Sequence, residues 1–268
     1  MKAYHNLEFL NSPDARVIRL ISEFLEPARR FRKEGIKDTI VFFGSARVKP
    51  RKEALRIWKD LSKKTLSSST KKDLEAARIQ LEMSRYYEDA VELARLLTKW
   101  SSGLKEKNRL VISSGGGPGI MEAANRGAKL AGGRSVGLNI SLPFEQKSNP
   151  FVSDGLNFEF HYFFMRKLWF VYLSKAMVMF PGGFGTFDEL FELLTLVQTR
   201  KLKKKVTVVL YGREHWEKTV KFDNLVHLGL INSDDLKLFR FAETPQEAFH
   251  FIVSDLQKKY PELTSKRR

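Results

Sequence analysis

Ala176-Met177-Val178-Met179-Phe180-Pro181-Gly182-Gly183-Phe184-Gly185-Thr186-Phe187-Asp188-Glu189 changes character twice along its length. Ala176–Phe180 is a short, wholly apolar run, the pattern of a strand covered on both faces. Pro181–Gly185 is a glycine-rich turn, and the missing Cβ atoms let backbone N–H groups come close to a ligand. From Thr186 the apolar spacing becomes helical, and the expected helix covers Thr186–Thr199. Strand, glycine loop and helix form the unit from which parallel sheets are assembled.

The same unit recurs upstream, where a strand at Arg109–Ser113 runs into Ser113-Ser114-Gly115-Gly116-Gly117-Pro118-Gly119-Ile120-Met121-Glu122 and a helix expected at Gly119–Ala131. Further strands are expected at Thr39–Gly44, Ser135–Ile140, Asn157–Phe160, Val206–Leu210 and Phe239–Ala242. Helices are expected at Ser84–Trp100, Phe163–Ser174, over most of Arg213–Leu228 and at Pro245–Tyr260. This alternation predicts an α/β fold: a Rossmann-like, doubly wound, mostly parallel sheet flanked by helices. Residues 1–38 read as an N-terminal helical extension, with a helix start at Asn11-Ser12-Pro13-Asp14 and apolar residues at Val17, Ile18, Ile21 and Leu25. Residues 39–262 read as the Rossmann-like domain, in which 48–84 is a charged loop or helical insertion, and 263–268 as a basic tail that leans to disorder from Ser265.

Composition narrows the chemistry. The chain has 268 residues, is 43% hydrophobic and carries 21 Phe, enough for a sizeable aromatic-rich core. It has no cysteine, which excludes disulfides, thiolate metal sites and cysteine nucleophiles. Five scattered His without ligand spacing argue against a metal site. The apolar run Leu168–Phe180 is interrupted by Ser174 and Lys175, too short and too charged for a membrane span, and Met1–Leu10 lacks the apolar stretch of a secretory signal. A cytoplasmic protein with no membrane association is the expectation.

Formal charge is +16, from 47 Lys+Arg against 31 Asp+Glu, and such an excess attracts anions. The basic residues concentrate in Arg29–Lys33, Lys49–Lys52, Lys63–Lys72 and Arg200–Lys205. A solvated face is the stronger reading of each cluster. Base-stacking recognition of RNA wants interleaved aromatics, and Phe31 is nearly alone in them, so nucleic acid is disfavoured as a partner.

In an open α/β sheet ligands sit beyond the carboxyl ends of the strands, where both glycine loops lie. A helix N-terminus there adds free N–H donors and a partial positive charge, which suits a phosphate. Either loop alone could be only a tight turn; two at strand-to-helix junctions favour an anionic ligand. Neither is a Walker A loop, and neither gives a clean dinucleotide fingerprint. Thr186 is placed to cap its helix, and Thr186-x-x-Glu189 reads as a capping box, the stronger role for Glu189 on spacing alone. Glu122 has a similar structural role open to it through the helix dipole. A carboxylate in the first turn of a phosphate-binding helix would equally reach the sugar of a bound nucleotide.

Pro181–Glu189 resembles the PGGxGTxxE signature of the LOG (Lonely Guy) family of cytokinin riboside 5′-monophosphate phosphoribohydrolases, often mislabelled lysine decarboxylases. Met165-Arg166-Lys167 resembles the family's Met-His-x-Arg-Lys element, with Phe164 where the family has histidine. Phe43-Gly44-Ser45-Ala46-Arg47 resembles its first-strand loop and Gly115–Glu122 its first glycine loop, which here contains Gly-Pro-Gly-Ile-Met-Glu rather than the commoner Gly-Leu-Met-Gly form. The resemblance runs from about Thr39 to Ala242, and the N-terminal extension and the 48–84 insertion look like the longer bacterial branch.

The resemblance implies an enzyme that cleaves the N-glycosidic bond of a nucleoside 5′-monophosphate, releasing adenine or an N6-substituted adenine and ribose 5-phosphate, with no cofactor and no metal. It implies Arg166 and Glu189 as catalytic residues. Pro181, Gly182, Gly183, Gly185 and Thr186 would clamp the phosphate with help from Lys167, whose structural role is the stronger reading. Gly44, Ser45, Arg47, Gly115, Gly116, Gly117 and Glu122 would line the nucleotide. A homodimer or higher homo-oligomer is expected, with Phe158–Tyr172 as either interface or ordinary core. The rival reading is a non-catalytic nucleotide or molybdenum-cofactor carrier of the same Rossmann-like superfamily, against which intact Arg166 and Glu189 argue. Lysine decarboxylation is disfavoured, because no pyridoxal-phosphate pattern is recognisable.

Overall fold

The computed structural model describes residues 1–63, 68–143 and 148–264. Seven strands form one sheet: β1 (Asp38–Phe43), β2 (Leu110–Ser114), β3 (Ser135–Ile140), β4 (Asn157–Phe160), β5 (Ser174–Met179), β6 (Thr207–Tyr211) and β7 (Arg240–Ala242). Their order is β4-β3-β2-β1-β5-β6-β7, and every pairing is parallel. The helices are α1 (Leu7–Asn11), α2 (Arg16–Lys33), α3 (Arg51–Ser62), α4 (Ser68–Ser102), α5 (Ile120–Leu130), α6 (Phe163–Leu173), α7 (Phe184–Gln198), α8 (Arg213–Thr219), α9 (Phe222–His227) and α10 (Pro245–Lys259). The architecture is Rossmann-like.

Alternation along β1 divides the core in two. Ile40 and Phe42 join the cluster that α4, α5 and α10 close over one face, whereas Val41 and Phe43 join the cluster under α2, α6 and α7 on the other. That is why Ile40–Phe43 are apolar at every position. The helix α2 is docked rather than loose. Phe31 stacks on Phe158 at 4.5 Å between ring centroids, Arg30 lies over the same ring at 4.1 Å, and Trp169 Nε1 donates to the Glu23 carbonyl at 3.0 Å.

The charged stretch 48–84 is more regular than its composition suggests. Its described residues include α3 and the first half of α4, a helix that starts sixteen residues before the expected Ser84. Upstream of Ser84 the surface is held by local charge pairs, with Arg78 bridging Glu75 and Glu82 at 2.8 Å each. Downstream, Tyr86, Tyr87, Ala90, Leu93, Ala94 and Leu97 are buried and anchor the helix to the sheet. Residues 64–67 and the basic tail from Ser265 lie outside the described residues. No described helix is long and apolar enough to cross a membrane.

Candidate functional site

The strand order reverses between β1 and β5, so the loops that follow them diverge to opposite faces and open a crevice. Three loops are stitched together at this point. Phe180 N donates to Phe43 O at 2.8 Å, Ser45 N to Pro181 O at 3.0 Å and Ile120 N to Ser45 O at 3.1 Å. Gly119 makes the last contact feasible. Its φ is +70°, and a Cβ there would fall 2.3 Å from Ser45 O. Above the crevice is a cavity of about 640 Å³, lined by Phe43–Arg47, Met121, Phe163, Arg166 and Gly183–Glu189.

The helix α7 begins at Phe184, two residues earlier than its sequence suggests. Gly183 is the N-cap, no side chain caps the helix, and Thr186 is already inside the first turn, its N–H donating to Gly183 O at 2.9 Å. The expected capping box is therefore absent. The first N–H groups of a helix have no intrahelical partner. Those groups and the positive end of the helix dipole are at the cavity. Gly182 touches this turn so closely that a Cβ would fall 2.1 Å from Thr186 Oγ1.

Release from the capping role leaves Glu189 one turn further in, only 8% exposed and lining the cavity. Among the described residues its carboxylate has no hydrogen-bond partner. Burial pushes its carboxyl up to about 7; the charges of Arg166 and Lys167 oppose that rise, and Glu192 and Asp188 add to it. Arg166 enters from α6. Its Nε donates to Leu138 O at 2.7 Å, its guanidinium lies 5.1 Å from the Phe170 ring, and Gly115 abuts its Nη2. Burial works against the Arg166 charge, and Glu189 supports it. A cation and a carboxylate thus face one cavity, neither compensated by a contact ion pair among the described residues.

The other expected site residues divide into two groups. Gly44, Ser45, Arg47, Gly183, Gly185 and Thr186 line the cavity with Arg166 and Glu189. Pro181, Gly182, Gly115, Gly116, Gly117, Glu122 and Lys167 do not. Pro181 and Gly182 brace the neighbouring loop and turn. Lys167 Nζ pairs with Asp188 at 2.9 Å and Glu192 at 2.8 Å, pinning α6 to α7. Glu122 turns towards α4, where it accepts the Tyr87 hydroxyl at 2.6 Å.

Gly116 and Gly117 are held from behind by a residue the motifs did not single out. Asn149 Nδ2 donates to Gly116 O and Gly117 O, at 3.0 Å each, and to Asn125 Oδ1 at 2.9 Å; Ser114 Oγ donates to the same Asn125 oxygen at 2.7 Å. Asn125 lies on the helix expected at Gly119–Ala131 and is fully buried, and a buried amide must find partners. Two cavity aromatics were also missed: Phe163 is 54% exposed and Phe184 96%.

A family model described as "Possible lysine decarboxylase", the model that covers the LOG proteins, matches residues 121–252. No curated protein matches the chain. Among solved structures, the protein TM1055 is 21% identical, with 81% of this chain and 99% of that one covered and a TM-score of 0.48. A molybdenum cofactor binding protein from the phototrophic bacterium Rippkaea orientalis is 23% identical over 64% of this chain and 88% of its own, with a TM-score of 0.43. The molybdenum cofactor carrier protein of Chlamydomonas reinhardtii is 19% identical over 83% and 99%, with a TM-score of 0.44. These likenesses are loose, and the fold rests on the strand order itself.

Proposed function

We propose that this chain is a nucleoside 5′-monophosphate N-glycosidase that releases adenine, or an N6-substituted adenine, and ribose 5-phosphate. The observation that carries the reading is the Glu189 carboxyl, buried at the N-terminal end of α7 and poised near neutrality opposite Arg166. A general base works best with a pKa near the working pH.

In this reading the phosphate is held by the free N–H groups of the first turn of α7 and by the Thr186 hydroxyl, with Ser45 and Arg47 across the crevice. The ribose then lies over Glu189. As the bond between C1′ and the base nitrogen breaks, the sugar becomes oxocarbenium-like and its positive charge favours ionised Glu189. The carboxylate takes a proton from the water that adds to C1′. Arg166 presents guanidinium donors to the negative charge leaving on the base, which then takes a proton from solvent. Phe163 and Phe184 offer apolar faces for the base. Lys167 acts through Asp188 and Glu192 rather than on substrate, and Glu122 braces α5 against α4. The enzyme is expected to be a homodimer or higher homo-oligomer.

The test is to incubate pure protein with AMP and with isopentenyladenosine monophosphate and to resolve the free bases by chromatography. Release of base, lost in Glu189→Ala, supports the reading, and the better substrate identifies the base. If no nucleoside monophosphate is cleaved while calorimetry shows tight binding, the carrier reading replaces it.

A further inference from the structure

Hydrogen bonding fixes Arg166 at one point only. Its Nε donates to Leu138 O at 2.7 Å, and among the described residues its two Nη groups have no hydrogen-bond partner. A guanidinium held at Nε alone can still tilt, so what stands behind its far end decides where Nη2 lies. Backbone stands there. Gly115 abuts the group so closely that a Cβ would fall 2.5 Å from Arg166 Nη2 and 2.5 Å from Met121 Sδ. Arg166 and Met121 line the cavity, whereas Gly115 does not. Gly115 is therefore a backstop on the side of the guanidinium away from the cavity.

The loop that carries Gly115 is clamped by a buried polar network. Gly116 N donates to Ser114 Oγ at 3.1 Å, and with a φ of +73° Gly116 lies so near the Asn139 amide that a Cβ would fall 2.4 Å from its Nδ2. Asn149 closes the network and is only 7% exposed. Its backbone N–H donates to Gly116 O at 2.8 Å, and its Nδ2 is shared among Gly116 O, Gly117 O and Asn125 Oδ1. Its Oδ1 accepts the Phe151 N–H at 3.1 Å. A buried network with every member satisfied is rigid. Asn149 itself does not line the cavity.

We propose that Asn149 is a positioning residue for the reaction: by gripping the Gly116 and Gly117 carbonyls it holds Gly115 against the Arg166 guanidinium and keeps that group forward in the cavity, opposite Glu189. The inference deepens the glycosidase reading and rests on it. Glu189 reports where the guanidinium lies. Burial raises its carboxyl, Arg166 is the strongest charge opposing the rise, with Lys167 next, and Glu192 and Asp188 on its own helix add to the rise. Lys167, Asp188 and Glu192 are tied to one another and not to the loop. A change at Asn149 therefore reaches the Glu189 titration through Arg166. A brace that served stability alone would lower the melting temperature when removed and leave that titration in place.

The test combines AMP kinetics against pH with carbon-13 NMR of the Glu189 carboxyl, assigned through Glu189→Gln, in the full chain. In Asn149→Ala the loop relaxes and the guanidinium recedes. The expected loss in kcat is about 10²-fold, the cost of a misplacement near 1 Å, with KM within a few-fold of wild type. The kinetic limb and the NMR titration should both move to higher pH by about one unit, the low end of what a nearby opposite charge supplies. Asn149→Asp keeps the shape but sets carboxylate oxygen against three oxygen acceptors, and should lose as much as Asn149→Ala. Gly115→Ala acts from the other side: its methyl presses Nη2 towards the cavity, and the Glu189 titration should move to lower pH. Folded Asn149 variants with wild-type kcat and an unmoved titration overturn the proposal. Should both fail to fold, Gly115→Ala decides, and an unmoved Glu189 titration in that variant overturns it equally. A wild-type chain that cleaves no nucleoside monophosphate refutes the glycosidase reading, while the NMR titrations still show whether Asn149 positions Arg166.

Discussion

At the scale of one residue, Glu189 joins activity to stability with opposite signs. Its carboxyl goes from an ordinary 4.5 to about 7 because burial outweighs the nearby Arg166 charge. In the proposed reaction Glu189 is the base and must be ionised, so kcat/KM for nucleoside monophosphate should rise with pH through a limb near 7. Glu189→Gln should lose about 10²–10⁴-fold in rate, and its residual rate should lack that limb. For stability the folded state holds the proton more tightly than the unfolded chain. The associated stabilisation is complete below 4.5 and is lost as pH rises through 7. Glu189→Gln should therefore gain on wild type in chemical denaturation at pH 8, by on the order of 3 kcal/mol at ~1.4 kcal/mol per pKa unit, and gain nothing at pH 4. A variant no more stable than wild type at pH 8 would mean that Glu189 is already solvated. Lys167 gives an independent check. Lys167→Met removes a cation that lowers the Glu189 pKa and leaves Asp188 and Glu192 unpaired beside it. The activity limb should move to higher pH while the rate well above the limb stays within a few-fold of wild type.

At the scale of the element, the start of α7 decides what the site contains. Gly182→Ala would bring a methyl group to 2.1 Å from Thr186 Oγ1 and force the first turn away from the loop. The expected result is loss of most activity together with a melting temperature lowered by the equivalent of ~1–3 kcal/mol. Unchanged activity would show that the turn does not hold the phosphate. This element also shows what a sequence can and cannot convey. Strand, glycine loop and helix are legible at Ala176–Glu189 because the apolar period changes within a few residues. The true start at Phe184 is not, because Gly185 reads as loop and yet lies inside the helix. Moving the start by two residues takes Thr186 out of its capping position and turns Glu189 from a surface cap into a buried acid. The long α4 was obscured for the reverse reason. Its charged first half lacks a clear apolar period and is held by Arg78 with Glu75 and Glu82, an arrangement that reads as a solvated segment. Asn149 could not be singled out, because its role depends on the distant carbonyls of Gly116 and Gly117.

At the scale of the whole molecule, alternating strands and helices imply a parallel sheet but leave its order open. The order β4-β3-β2-β1-β5-β6-β7 is what brings Ser45, Arg166 and Glu189 to one crevice from segments far apart in the chain. Net charge acts on the same scale. A nucleoside monophosphate carries a dianionic phosphate, and the chain carries +16. Basic clusters spread over the surface raise the local concentration of such an anion without touching it, and salt removes that effect as the Debye length shrinks from ~30 Å at 0.01 M to ~10 Å at 0.1 M. Contacts inside the cavity, where Arg166 is half-buried beside Glu189, are screened far less. The two contributions therefore separate in kinetics: between 0.01 and 0.3 M salt, kcat/KM for AMP should fall severalfold while kcat changes little. Adenosine, without the phosphate, should be a poor substrate whose residual kcat/KM is nearly indifferent to salt. If kcat for AMP falls in parallel with kcat/KM, salt is disturbing the Arg166–Glu189 pair itself, and the surface charge has no part in capturing the substrate.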